Sequence, residues 1–395
     1  MMKKNIAILV PQLAGGGAER VASNLLLHLP DEKYNKFLIV FDDKKIDYPY
    51  KGKLINLDTA ATTNPLGKIK NFIKRIYRLR KVKKIYNIDT TISLLSSSNI
   101  VNILSRQNDK VIVSVRNYIS KSSEGFYGML YRLLIKILYN KADLVIAVSN
   151  LVKNDLISSF RIKDDKIKVI YNPYDLEKIR KLASEEIEIE YQEIFKFPTI
   201  ITVGRLSKQK GQWHLIRAFK KVKEVLPDVK LVILGQGELE DYLKKLTIKF
   251  ELEKDVYFLG FQKNPFKYID RSTIYVFPSL YEGFPNALCE AMACGIPVIS
   301  ADCKSGPREI LAPETDITRE TKELEYGEYG ILVPVCDGHM YDYNDSITRE
   351  EQILSKSIVE LLENQALLKQ YSIKVLSRIK DFEQEIIIKL WEKEI

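Results

Sequence analysis

The sequence predicts an α/β protein built as two consecutive doubly wound parallel-sheet domains. Three observations predict it. Short, nearly unbroken apolar runs recur along the chain, as in parallel strands covered on both faces. Amphipathic stretches separate them, so strand and helix alternate. The series restarts in the second half, which makes two sheets rather than one. At 395 residues the chain exceeds one ordinary core and suits two.

The first series runs through Ile6–Val10, Phe37–Phe41, Thr91–Leu94, Val111–Val113 and Leu144–Val148. The second runs through Thr199–Val203, Leu231–Leu234, Val256–Leu259, Ile274–Phe277 and Pro297–Ser300, with helical patterns such as Leu215–Val225 and Glu238–Phe250 between strands. Between Tyr174 and Phe195 no strand pattern occurs, and Glu185, Glu186, Glu188, Glu190 and Glu193 form an acidic cluster, which reads as a linker. The expected domains are therefore 1–178 and 190–375. The end, Leu354–Ile395, reads as helix, with 376–395 expected to pack back toward the first domain.

Composition narrows the class. With 46% hydrophobic and 29% charged residues, the chain can fill two cores and still solvate its surface. Four cysteines are too few for a disulfide framework. No signal peptide is visible, since Met1–Lys4 runs straight into a strand pattern, and no apolar run is long enough to cross a membrane. The expected location is cytoplasmic.

The net charge of +9 is clustered. From Lys68 to Tyr86 stand nine cations, Lys74, Arg75, Arg78 and Arg80 among them, and no acid. Ile69, Phe72, Ile73, Ile76 and Leu79 recur at helical spacing. A basic amphipathic helix of this kind suits an anionic membrane surface or a polyanionic acceptor such as a lipid diphosphate; an ordinary surface helix is the plain alternative.

Gly15-Gly16-Gly17-Ala18-Glu19-Arg20 follows the first strand and opens a helix, where backbone N–H groups can meet an anion. A dinucleotide fingerprint needs a glycine where Arg20 stands, although Asp42 could imitate its ribose-binding acid. Gly204-Arg205-Leu206-Ser207-Lys208-Gln209-Lys210-Gly211 occupies the same place in the second domain. Its cations Arg205 and Lys210 stand at the C-terminal end of a strand, where open parallel sheets bind ligands, and suit a diphosphate.

The most informative segment is Ser279 to Val298. After the strand ending at Phe277, Glu282 and Gly283 lie in a turn, Pro285 suits the first helical position and Gly295 the helix stop. Glu290 falls inside the helix among Leu288, Ala291 and Met292, where a buried acid requires a partner such as a sugar hydroxyl. Free amides near Asn286–Leu288 could hold a phosphate.

Taken together, these residues resemble retaining glycosyltransferases of family four, which have the GT-B fold of two Rossmann-like domains facing a central cleft. The matching elements are the glycine-rich loop with Glu19; Ala142-Asp143 and Ser149; Asn172-Pro173; Gly204-Arg205 with Lys210-Gly211; Gly235 and Gly237; Leu259-Gly260; Glu282 and Glu290 with seven residues between; Ala291-Met292-Ala293 with Gly295; and Gly306 with Glu309. They span almost the whole chain in family order. The resemblance implies that Arg205 and Lys210 hold the donor diphosphate, Glu290 the ribose hydroxyls, and Glu282 the donor sugar. It adds Gly16, Gly17, Gly204, Gly235, Gly260, Phe261, Gly283, Phe284, Asn286 and Leu288 as donor-site positions. It also implies metal-independent transfer with no cofactor, the donor substrate being a nucleoside-diphosphate sugar with UDP as the expected carrier. A glycan or polyprenyl-diphosphate-linked acceptor and a peripheral place on the inner membrane face are expected, the basic helix 68–86 making the contact; no nucleic acid is. No Asp-x-Asp metal signature occurs.

The chain departs from the family in two places. Where many members carry a histidine after the fourth strand, it reads Ser114-Val115-Arg116-Asn117-Tyr118, which makes Arg116 the candidate for electrostatic work there. The segment from Ala312 to Tyr329 is longer than usual. Of three histidines, His28 and His214 fall in helical patterns and read as structural. Two other readings compete. A nicotinamide oxidoreductase would use Gly15–Gly17 and Asp42 but leaves the second domain unexplained. A nucleic-acid binder would use the basic helix but lacks a recognition module.

Overall fold

A computed structural model describes residues 2–122 and 125–395. The chain divides into two compact units, residues 1–173 with 384–395, and residues 174–383.

Unit 1 runs β1 (Lys4–Val10), α1 (Gly17–His28), β2 (Tyr34–Val40), β3 (Lys53–Asn56), α2 (Pro65–Ile85), β4 (Thr90–Leu94), α3 (Ser96–Leu104), β5 (Lys110–Val115), α4 (Ile119–Ser122), α5 (Gly125–Leu138), β6 (Leu144–Ala147), α6 (Asn150–Phe160) and β7 (Ile167–Val169). The strands form one parallel sheet in the order β3-β2-β1-β4-β5-β6-β7, the doubly wound order with its reversal at β1/β4. The reason β1 is apolar from Ile6 to Val10 is visible in its two faces. Ile6, Ile8 and Val10 pack with Leu25 and Leu26 of α1, and Ala7 and Leu9 pack with Leu79 of α2 and Val101 of α3.

Unit 2 runs α7 (Leu176–Ala183), α8 (Ile189–Gln192), β8 (Thr199–Val203), α9 (Gln212–Val225), β9 (Lys230–Leu234), α10 (Glu240–Lys249), β10 (Val256–Gly260), α11 (Phe266–Ile269), β11 (Ile274–Phe277), α12 (Asn286–Ala293), β12 (Val298–Ala301), α13 (Pro307–Leu311), β13 (Glu325–Tyr326), β14 (Ile331–Val333), α14 (Arg349–Glu363) and α15 (Gln365–Arg378). Its sheet has the order β10-β9-β8-β11-β12-β14-β13, parallel except for β13, which pairs antiparallel with β14 at the edge. The last helix, α16 (Gln384–Lys393), returns to unit 1, where Ile387, Ile388 and Trp391 join the core on the α1 side.

The boundaries differ from the expected ones. The stretch read as a linker holds α7 and α8, and unit 2 begins at Tyr174, because Leu176, Ile179 and Ala183 are buried. Only 384–395 belongs to unit 1; residues 376–383 stay in unit 2, where Val375, Ile379 and Phe382 are buried. The GT-B fold class holds, with seven strands in each sheet.

Candidate active site

The parallel strands of unit 2 bring five loops to one edge of its sheet. Their backbones interlock, and glycine permits it. Gly235, at φ 139°, sits so close to the Gly204 carbonyl that a Cβ there would lie 1.9 Å from the oxygen. The Gly235 amide in turn donates to the Gly260 carbonyl at 2.8 Å. Gly204, Gly235 and Gly260 thus first stack three loops edge to edge.

Lys210 ends a short turn after β8. Its stem runs over Gly204, and its ammonium reaches Glu282 Oε1 at 2.6 Å while lying 5.3 Å from the Phe277 ring. Gly211 follows in the left-handed region at φ 63°, where a Cβ would meet the Pro278 carbonyl at 2.5 Å. The Gln209 amide side chain donates to the Tyr281 carbonyl, and the Leu280 amide donates to the Gln209 carbonyl. The loop carrying Lys210 is therefore docked on the loop carrying Glu282. Arg205 is exposed, and among the described residues its guanidinium has no ion-pair or hydrogen-bond partner.

Glu282 is held from behind as well. Its amide donates to the Lys304 carbonyl, and the Ser305 hydroxyl donates to the Gly283 carbonyl at 2.7 Å. Loop 302–306, which does this, rests on a buried hub. Arg308 Nε contacts Asp302 Oδ2 at 3.1 Å and its Nη1 contacts Glu325 Oε1 at 2.9 Å. Asp302 also accepts from the Thr321 amide at 2.7 Å, and Lys304 pairs with Glu320 at 3.1 Å. The long segment 312–329 is thereby tied to the wall behind Glu282. Sequence reasoning missed Ser305, Asp302 and Arg308, because only the fold brings them to the site.

In α12, Glu290 and Leu288 are buried. Pro285 is the N-cap residue rather than the first helical one. The amides of Asn286 and Leu288 donate to the carbonyls of Phe284 and Pro285, so they are not the open donors expected. The Asn286 side chain accepts from Tyr174 Oη at 2.7 Å, and the Phe284 ring packs edge-on against Phe382. Phe261, after β10, is 72% exposed.

In unit 1, Gly16 caps α1 and Gly17 begins it. The Glu19 carboxylate folds back over Gly16, so that a Cβ there would lie 2.2 Å from Oε2, and burial raises its pKa. Arg116 is buried after β5; its Nη1 reaches the Ile170 carbonyl and its guanidinium lies 6.0 Å from the Trp391 ring. His214 is structural as expected, hydrogen-bonded to Glu351 at 2.7 Å.

The basic helix is real but its cations are not arranged as expected. Arg75 donates to the Thr59 carbonyl and stacks on Phe41, Arg78 donates to the Leu57 carbonyl, Lys74 to the Asp58 carbonyl, and Arg80 to the Leu104 carbonyl. These four bind the helix to its own domain. Its apolar residues divide as well: Phe72, Ile76 and Leu79 face the core, while Ile69 and Ile73 are exposed.

A lysine–carboxylate pair, an exposed arginine and a buried second glutamate on the loop edge of one of two doubly wound units are the arrangement expected of a two-domain glycosyltransferase. The comparisons agree. Residues 15–178 match the model of Glycosyltransferase Family 4, and residues 184–320 that of Glycosyl transferases group 1. An uncharacterized glycosyltransferase of Methanocaldococcus jannaschii is 38% identical, with 93% of this chain and 94% of that one covered. The N-acetylgalactosamine-N,N'-diacetylbacillosaminyl-diphospho-undecaprenol 4-alpha-N-acetylgalactosaminyltransferase of Campylobacter jejuni is 32% identical, with 96% of each chain covered. Among solved structures, Anabaena HepE in complex with UDP and glucose matches with a TM-score of 0.74 at 19% identity, covering 99% of each chain. The chain belongs to the family 4 glycosyltransferases. It is an enzyme of the GT-B type. The oxidoreductase reading falls with this assignment, and Asp42, its proposed ribose ligand, accepts instead from the Lys44 amide at 3.0 Å.

Proposed function

We propose that this enzyme moves a hexose or N-acetylhexosamine from a nucleoside-diphosphate sugar, UDP being the carrier, to a glycan acceptor on polyprenyl diphosphate, with retention of anomeric configuration. The observation that carries the reading is the Lys210–Glu282 pair on the loop edge that also presents Arg205. Cleaving a sugar–diphosphate bond builds negative charge on the leaving group, and fixed cations stabilise that charge. Arg205 and Lys210 take that part without a metal ion. Glu290 binds the ribose hydroxyls, Glu282 the donor sugar, and the exposed Phe261 ring offers a face for the base. Gly16 and Gly17 supply the anion-binding helix end of unit 1, which takes the acceptor.

Several relatives support the finer points. HepE was solved with UDP and glucose, the Campylobacter relative acts on a diphospho-undecaprenol saccharide, and an Erwinia amylovora relative serves amylovoran biosynthesis. They favour a place in cell-surface polysaccharide or glycan assembly, with capsule as one outcome, and peripheral attachment to the inner membrane face. No helix among the described residues is long and apolar enough to cross a membrane. The test is a nucleotide-sugar panel scored by thermal shift, followed by NMR of the product's anomeric centre. Stabilisation by one UDP-sugar and an α-linked product support the reading; stabilisation by none, or an inverted product, defeats it.

A further inference from the structure

The charge of the chain is not shared between its units. Unit 1 carries 32 lysines and arginines against 17 acids, and unit 2 carries 29 against 35, giving net charges of +15 and −6. The whole basic excess lies on unit 1.

Unit 1 also carries two exposed apolar ridges. The crossovers through α2, α3 and α5 step the same way across the sheet, so right-handed connection puts all three helices on one face. There α3 packs against both α2 and α5. On α2, Leu66, Ile69, Ile73 and Tyr77 fall on one outward stripe; on α5, Met129, Leu133 and Ile137 do the same. All seven are between 51% and 77% exposed. The cations beside them point outward: Lys70, Lys81 and Lys84 on α2, and Lys136 on α5 are exposed. Neither α2 nor α5 contains an acid, and Asp58, on the loop before α2, is paired with Lys74 and Arg78.

We infer that α2 and α5 together form a lipid-docking face, with Met129, Leu133 and Ile137 of α5 inserting among acyl chains and the α2 cations contacting anionic headgroups. It deepens the reading of a lipid-linked acceptor and assigns a membrane role to α5, whose sequence suggested none. Charge selects the occupant. A second copy would bring two faces of the same sign together, whereas an anionic bilayer offers both the opposite charge and an apolar layer beneath it.

The test is co-flotation of the full chain with phosphatidylglycerol or phosphatidylcholine vesicles. Binding to the anionic vesicles should exceed binding to the neutral ones by about tenfold or more. The triple variant M129S/L133S/I137S should lose about tenfold on anionic vesicles, as should L66S/I69S/I73S. Thermal unfolding and UDP titration should match the parent for both variants, because these side chains are on the surface of unit 1. Equal binding to the two vesicle types, or undiminished binding of the α5 variant, overturns the inference. So does a dimer in sedimentation that the α5 variant abolishes, which would assign the face to a second copy. Absence of UDP binding by the parent chain would instead count against the donor reading and leave the vesicle result standing.

Discussion

Lys210 Nζ lies 2.6 Å from Glu282 Oε1, joining the loop after β8 to the loop after β11. The pair is more than an ion pair at the rim, since Glu282 is 8% and Lys210 20% exposed. The ammonium is held in place before any donor arrives, which reduces the reorganisation needed in the transition state.

This predicts unequal effects from the two partners. Lys210→Ala removes a cation proposed to hold the diphosphate, and transfer should fall at least about a hundredfold, with UDP affinity falling too. Glu282→Ala frees the lysine, so UDP affinity should stay within a few-fold while turnover falls. Calorimetry with UDP beside steady-state kinetics reads the split; parallel losses of affinity in both variants would contradict it.

Ser305 acts through the peptide it holds. Ser305→Ala removes the 2.7 Å bond to the Gly283 carbonyl. It should lower turnover about tenfold with little change in the KM for the acceptor and a melting temperature near the parent's. Arg308→Met, which leaves Asp302 and Glu325 without their buried cation, should lower both activity and stability, by about 3–5 kcal/mol for the latter. Urea unfolding and kinetics on the two variants separate positioning from folding.

Lys83 pairs with Asp109 at 2.8 Å with both side chains fully buried, and burial pulls its ammonium down to about 8 against the opposing pull of Asp109. Lys83→Met strands the carboxylate and should cost about 3–5 kcal/mol. Replacing Asp109 by leucine in the same chain should recover part of that loss. Denaturant titration of both variants checks it, and a double variant no better than the single would show that the pair is not what the core senses.

Glu351 caps α14 and accepts from His214 and Arg217. Burial pushes its carboxyl up, but the hydrogen bonds from His214, Arg217 and the Thr348 amide prevail and hold it below the usual 4.5. The folded form therefore binds its proton less readily than the unfolded one. The stability it confers is present above that ordinary value and is lost as pH falls through the folded value. Glu351→Gln should flatten this part of the melting temperature's acid limb, measured from about pH 6 downward.

Much of the architecture was legible in the sequence because parallel strands buried on both faces are apolar throughout, as in Ile6–Val10 and Ile274–Phe277. Strands that break the pattern were not. Lys53–Asn56 is short and half exposed at the sheet edge, and Ile331–Val333 follows a long polar segment. The domain boundary was misplaced because α7 is short and charged, runs into the acidic cluster that begins at Glu185, and reads as solvent-facing until its buried side is seen. In the site, Lys210 and Glu282 were legible singly, but their contact was not, because the residues lie 72 apart. The cations of α2 were legible as a cluster, while the carbonyls that engage Arg75 and Arg78 belong to a loop with no signal of its own.

The most direct test of the central claim is calorimetric titration of UDP, and of uridine, into the parent chain and into Arg205→Ala/Lys210→Ala. Diphosphate recognition by these two cations predicts that UDP binds the parent and loses about a hundredfold in the double variant, while the weak binding of uridine is the same in both. UDP affinity unchanged by the double substitution would contradict it.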